Sequence, residues 1–256
     1  MQSYNISNKG ARTLNRVVGS SDFRSPEAVL RHLIQHYAHG LIQPSQIVID
    51  LQPAEDGTYH TQKKWIALYN AQEGEFRGKR MISAPDIIGA PEIASPEALT
   101  SLQKDCIYSW VITSSHTSFR PHQPNPLAGN VIHNYQSSVV SSKVISLDEI
   151  PVLQGESANR VVETAEGLSY LRALADDRYA KPETLLKRLT ALSQRDPEDI
   201  ALWTPEQGSR GSYPERPVVF GDLSHRFCIE GDNDFDYSGG HSRGVLINPR
   251  SGRAKK

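Results

Sequence analysis

The stretch Cys106–Thr113, CIYSWVIT, decides the fold class, because it predicts a strand in the middle of a sheet. Its alternating residues are Ile107, Ser109 and Val111 on one side and Tyr108, Trp110 and Ile112 on the other. A strand with apolar residues on both sides is typical of a central strand that is covered on both faces. The stretch therefore predicts a sheet with packing on both sides.

Helix-start signals and short apolar runs precede this strand. Ser95-Pro96-Glu97 is typical of a helix N-terminus, where serine caps, proline suits the first turn and glutamate faces the positive end of the helix dipole. The same pattern at Ser25-Pro26-Glu27 predicts a helix over 25–40. Ile47–Leu51 and Trp65–Tyr69 are short and rich in β-branched or aromatic residues, and the turn signal Asp56-Gly57 lies between them, so we expect a β-hairpin there.

The chain after the central strand alternates between loop, strand and helix patterns. Three prolines in 114–130 predict a long loop, and the runs VIHNY, SVV and KVISL within 131–146 predict strands. Helical spacing of apolar residues predicts one helix over about 159–174 and another over about 182–192. The runs PVVF, RFCI and GVLI predict the last strands. The expected fold class is α+β, with a mixed or antiparallel sheet and three to four packing helices.

Composition narrows the possible classes of protein. The chain has 256 residues, is 38% hydrophobic and carries a net charge of −1. The polar N-terminus predicts a flexible tail over 1–22. The length predicts a single α+β domain over 23–256, in which a C-terminal β module could begin at about 214. No apolar run approaches the roughly twenty residues that a membrane-spanning helix needs, so no membrane is expected as a partner. Two cysteines without metal spacing predict a reducing, cytoplasmic compartment, with secretion as an effector as the alternative.

The segment Asp222–Arg253, DLSHRFCIEGDNDFDYSGGHSRGVLINPRSGR, contains the residues best suited to catalysis. It places His225 and His241 sixteen residues apart, and two glycines come directly before His241. Two imidazoles can serve as acid and base near neutral pH, which RNA cleavage without a metal ion requires. The glycines would allow the backbone to approach a phosphate closely.

The same residues resemble the paired-histidine signature of EndoU-like ribonucleases, including bacterial toxin domains. The resemblance covers about residues 222–244 and consists of His225-x5-Gly231-Asp232 followed by Gly239-Gly240-His241-x-Arg243-Gly244. It implies a metal-independent endoribonuclease of the toxin or secreted-effector kind, in which His225 and His241 are catalytic and Arg243 contacts the substrate. Gly240, Ser242 and Arg250 are the other predicted substrate-binding residues. We expect no cofactor and no metal, and RNA or a host or target protein as the partner.

Two alternative functions stay open. Phe76-Arg77-Gly78 and Ile112–Ser118, ITSSHTS, resemble the aromatic-Arg-Gly and Ser-Thr-Ser strands of ADP-ribosyltransferases, which implies an effector enzyme of that kind. The polar N-terminus and the proline-rich stretch 119–130 favour instead a non-catalytic effector or interaction protein.

Three further motifs do not support a function of their own. Gly240–Gly244 matches the G-x-S-x-G nucleophile elbow, but no acid or histidine follows it. Asp232-x-Asp234-x-Asp236 has neither the glycine nor the glutamate that a calcium loop needs at its sixth and twelfth positions. Cys106 is best interpreted as a buried structural cysteine.

Overall fold

The computed structural model describes residues 48–120, 124–134, 142–179, 181–211, 214–233 and 239–246. These residues confirm the predicted α+β class, with six α-helices where three to four were expected. The helices are α1 Gln62–Ala71, α2 Ala84–Ile93, α3 Pro96–Tyr108, α4 Ala158–Glu163, α5 Ala165–Leu174 and α6 Pro182–Ser193. The strands are β1 Lys79–Met81, β2 Trp110–Phe119, β3 Gly129–His133, β4 Lys143–Leu147, β5 Gln154–Ser157, β6 Ile200–Trp203, β7 Glu215–Leu223, β8 Arg226–Glu230 and β9 Gly244–Leu246.

Seven of these strands form one curled, mixed sheet in the order β4-β3-β2-β7-β8-β6-β5. Its pairs are antiparallel except for β6 and β8, which run parallel. β1 and β9 form a separate two-stranded antiparallel sheet. The strands β7 and β8, which follow the predicted module boundary at about 214, lie inside the large sheet between β2 and β6. The domain boundaries themselves stay predictions.

The predicted central strand lies in the middle of the large sheet, but it begins at Trp110 rather than at Cys106. Leu102 and Cys106 are buried four residues apart, so these positions continue the buried face of α3. At its other end the strand continues to Phe119, and the predicted loop begins only at Arg120. Polar residues can extend the strand because they find buried partners: the Gln62 amide donates to two carbonyl oxygens of the β2 bulge, those of Thr113 and Ser115.

Apolar packing covers both faces of the sheet at β2. The larger core places side chains of α2–α6 against one face, including Ile87, Leu102 and Leu171. The smaller core places Trp65 and Tyr69 of α1 against the other face, where they meet Ile112 and Val219. Each buried aliphatic or aromatic side chain contributes about 1.5–3 kcal/mol, so these two layers fix the position of β2.

The predicted hairpin over 47–69 is wrong, because Trp65–Tyr69 lies in α1. Thr61 caps this helix by accepting a hydrogen bond from the backbone N–H of Lys64. Trp65 and Tyr69 are four residues apart and both are buried, which is helical rather than strand spacing. Ile49 forms an isolated bridge with Val245 instead.

The remaining predicted elements are partly confirmed. KVISL and the helix from Pro182 lie where predicted, and the last three strands are present as β7, β8 and β9. The helix over about 159–174 is divided at Thr164, which is extended and caps α5 through the N–H of Gly167. The predicted helix over 25–40, the tail over 1–22 and the run SVV fall outside the described residues. No helix within the described ranges is both long and apolar enough to cross a membrane.

Candidate functional site

The segment 239–246 runs alongside the start of β2 and then pairs with β1. The backbone N–H of His241 donates to Trp110 O at 2.9 Å, and the N–H of Ile112 donates to His241 O at 2.9 Å. A Cβ atom on Gly240 would lie 2.5 Å from Cγ1 of Ile112. Gly240, a predicted substrate-binding residue, is therefore needed for the close approach of two protein backbones.

His241 is buried and is held between two polar side chains of α3 and its C-terminal cap. Its Nδ1 lies 3.2 Å from Ser109 Oγ, and its Nε2 lies 3.0 Å from Asp105 Oδ2. The Nε2–H direction is not aligned with that oxygen, so the second contact is an electrostatic one rather than a linear hydrogen bond. We assign the tautomer in which Ser109 O–H donates to Nδ1 and Nε2–H faces the carboxylate.

Asp105 is held as a carboxylate by two basic partners. Burial raises its pKa, but the contacts with His241 and Arg243 outweigh that effect and hold the pKa below its usual value. Arg243 Nε donates to Asp105 Oδ2 at 2.5 Å, and Nη2 contacts the same oxygen. An ionised carboxylate in this position orients the His241 ring.

Arg243 and Ser242, both predicted to bind substrate, are engaged inside the protein. The guanidinium of Arg243 is fully buried and also donates to Asp50 O at 2.7 Å and to Ser101 Oγ at 2.9 Å. The hydroxyl of Ser242 donates to Ile112 O and is likewise buried. Both side chains fasten the segment to α3 and β2 and present no free polar group to solvent.

The structure does not bring His225 and His241 together. His225 is exposed in the two-residue turn between β7 and β8, where it and Ser224 have positive φ angles. Since β7 pairs with one side of β2 and His241 lies on the other, at least two strand spacings separate the two residues, roughly 10 Å. Arg250, the other arginine predicted to bind substrate, lies outside the described residues.

Three residues that sequence reasoning missed complete the site: Tyr59, Asp105 and Ser109. The Tyr59 hydroxyl lies 3.1 Å from Ser109 Oγ, and the rings of Tyr59 and His241 are 6.3 Å apart. Ser109 is partly exposed and caps the C-terminus of α3, one turn after Asp105. The only local signal for this arrangement is an acid and a serine four residues apart at a helix end.

The residues behind the alternative interpretations have the following positions. Arg77 is exposed two residues before the start of β1, whereas the side chains of Thr113, Ser114 and Ser115 are buried in β2. Cys106 is fully buried and burial raises the pKa of its thiol, as expected of a structural cysteine. Among the described residues, no group of three or more His, Cys, Asp or Glu side chains is placed to hold a metal ion.

Comparison with known proteins gives no family for this chain: no family model matches it, and neither a curated protein nor a solved structure matches it.

Proposed function

We propose that the chain is a serine-dependent hydrolase that cleaves a carboxylic ester or amide, with Ser109 as nucleophile. The observation that supports this proposal is the continuous contact from Ser109 through His241 to Asp105. A nucleophile within hydrogen-bond reach of a base, which a third group orients, is the arrangement that activates a hydroxyl group. The partial exposure of Ser109 leaves its hydroxyl accessible to a substrate, whereas the base behind it is shielded from water.

The proposed reaction has two halves. The Ser109 hydroxyl passes its proton to Nδ1 of His241 as Oγ attacks the carbonyl carbon, and the carbonyl oxygen becomes an oxyanion. When the oxyanion collapses, the bond to the leaving group breaks and His241 protonates that group, which leaves an acyl-Ser109 ester. Water then repeats the sequence: His241 takes its proton, the hydroxide attacks the ester, and Ser109 recovers its proton.

Asp105 stabilises the imidazolium form of His241 in both halves of this reaction. Its depressed pKa keeps it ionised at neutral pH, so its charge is present when His241 becomes positive. Arg243 shares the carboxylate and fixes the position of Asp105 on α3. The misaligned contact at Nε2 is of the kind that tightens when a substrate binds.

A fluorophosphonate probe tests the proposal, because it reacts covalently with an activated serine. The full chain is incubated with the probe and the modified residue is identified by mass spectrometry. We expect labelling at Ser109 that is lost in Ser109→Ala and retained in Ser118→Ala, a control serine that is also partly buried. A folded wild-type chain that takes up no label, or that is labelled at another residue, would contradict the proposal.

Metal-independent RNA cleavage, the function predicted from the histidine pair, stays a second proposal. It is supported by the orientation of His241 against Asp105 and by the exposed Lys63 and Lys64 on the first turn of α1, close in sequence to Tyr59. Incubation with a fluorogenic RNA in excess EDTA tests it on the wild type, His225→Ala, His241→Ala and Ser109→Ala. RNA cleavage by the wild type and by Ser109→Ala, but by neither histidine variant, would favour this function. Full activity of both histidine variants would exclude it. ADP-ribosyl transfer and a non-catalytic interaction role stay predictions.

A further inference from the structure

Two exposed tyrosines adjoin Ser109. Tyr108, the residue before Ser109, is 84% exposed, and Tyr59 is 53% exposed although its hydroxyl contacts Ser109. A substrate that reaches the Ser109 hydroxyl therefore has aromatic side chains available beside it.

The hydroxyl of Tyr59 is placed to act on the reacting group itself. Because Ser109 donates its proton to His241, the oxygen of Ser109 is left to accept from the Tyr59 O–H at 3.1 Å. When Oγ has bonded to a carbonyl carbon, the oxyanion lies next to Oγ, within reach of the same phenol. A donor that is fixed before the reaction stabilises this charge most effectively.

Nearby backbone donors are already in use. The N–H of Ser109 donates to Asp105 O at 2.8 Å, and the N–H of His241 donates to Trp110 O at 2.9 Å. A hydrolase of this kind needs at least one donor for the oxyanion. Tyr59 supplies an O–H donor that points at the nucleophile.

We propose that Tyr59 is the oxyanion donor of the site, and that Tyr108 selects esters with an aliphatic or aromatic acyl group. This inference depends on the proposed role of Ser109 as nucleophile. In the tetrahedral step the Tyr59 O–H donates a hydrogen bond to the oxyanion and keeps its proton, so the proton balance is that of the Ser109–His241 reaction. The acyl chain packs on the Tyr108 ring and leaves water as it binds.

The first experiment measures hydrolysis of p-nitrophenyl acetate and p-nitrophenyl octanoate by the full chain. Tyr59→Phe removes one hydroxyl from a half-exposed ring, and we expect kcat to fall about 100-fold on both esters with KM unchanged. Tyr108→Ala is expected to raise KM for the octanoate about tenfold, which corresponds to about 1.4 kcal/mol, and to leave KM for the acetate unchanged. Val144→Ala, a 57% exposed apolar residue on β4, is the matched control and keeps wild-type constants.

Fluorophosphonate labelling of the same samples separates the two proposals. If Ser109 is labelled and Tyr59→Phe retains its kcat, the oxyanion role of Tyr59 is wrong while the nucleophile stands. If Ser109 is labelled and Tyr108→Ala does not distinguish the two esters, the acyl selectivity is wrong. If the wild-type chain is not labelled at Ser109 and hydrolyses neither ester, both the proposed function and this inference are wrong.

Discussion

The ion pair between Asp105 and Arg243 should have one of the largest coupling energies in the described part of the protein. This prediction does not depend on whether Ser109 is a nucleophile. Arg243 is fully buried, and its guanidinium contacts Asp105, Asp50 O and Ser101. Replacing Asp105 by asparagine removes the only carboxylate that contacts this guanidinium among the described residues. A buried cation without a counter-charge costs about 3–5 kcal/mol.

The same reasoning gives the size of each measured change. Asp105→Asn should lower the free energy of unfolding by about 3–5 kcal/mol, and Arg243→Met should lower it by less, because Asp105 is 17% exposed and still faces His241. For a domain of this size the loss corresponds to a fall in Tm of roughly 6–20 °C. The double variant should lose less than the sum of the two single losses, with a coupling energy of about 2–3 kcal/mol, because neither charge is then left alone.

Equilibrium unfolding in urea, followed by circular dichroism, measures this double-mutant cycle. The matched control is Glu92–Arg188, whose atoms are 3.0 Å apart but whose Glu92 side chain is 49% exposed. An ion pair so exposed should give a coupling below about 1 kcal/mol. The reasoning is refuted if the coupling at Asp105–Arg243 is no larger than that of the control pair.

Three further predictions follow from packing and ionisation. Gly240→Ala should lose about 1–3 kcal/mol of stability in thermal unfolding, because the new Cβ would lie 2.5 Å from a carbon of Ile112. The control is Gly208→Ala, whose new Cβ would have no atom within 4 Å. Equal losses of stability in the two variants would contradict this prediction. Burial raises the pKa of Glu230 from 4.5 to about 7. Between these pH values the folded state holds a proton that the unfolded state has released, so the free energy of unfolding falls as pH rises from about 4.5 to 7. The free energy of unfolding of Glu230→Gln, relative to that of the wild type, should therefore be greater at pH 8 than at pH 5. If this difference did not change with pH, the raised pKa of Glu230 would be contradicted. Burial also raises the pKa of the Cys106 thiol, so a disulfide reagent should modify it only after denaturation, and rapid modification of the native chain would show that the residue is accessible.

Local signals in the sequence were sufficient for several elements. Ser95-Pro96-Glu97 marks the start of α3 because a cap, a fixed proline φ and the helix dipole act within one turn. At the start of α6, Pro182 and Glu183 supply the fixed φ and the acid at the positive end of the dipole, whereas the N-cap Lys181 makes no capping hydrogen bond. Five-residue apolar runs were less informative, since Trp65–Tyr69 satisfies strand composition while its buried positions are four apart.

Local patterns also failed to predict α2 and the second half of β2. Pro91 inside α2 discourages a helix prediction, yet Pro85 suits the first turn and Ser83 and Asp86 form a capping box at its start. In β2 the polar run after Ile112 looks like a loop, and it becomes a buried strand because Gln62 and neighbouring strands satisfy its backbone. Such partners lie far away in the chain and leave no local pattern.

The sequence by itself determined the α+β class, the capped helices, the apolar strands and the prominence of the segment around His241. Those features depend on interactions between residues a few positions apart, which short patterns record. Tertiary structure alone decided the partners of that histidine. Ser109 is 132 residues from His241 and Asp105 is 138 residues from Arg243, and they meet because the C-terminal segment pairs with β2 where α3 ends. A contact over that separation depends on how the whole core packs, so the sixteen-residue spacing of His225 and His241 could not reveal it.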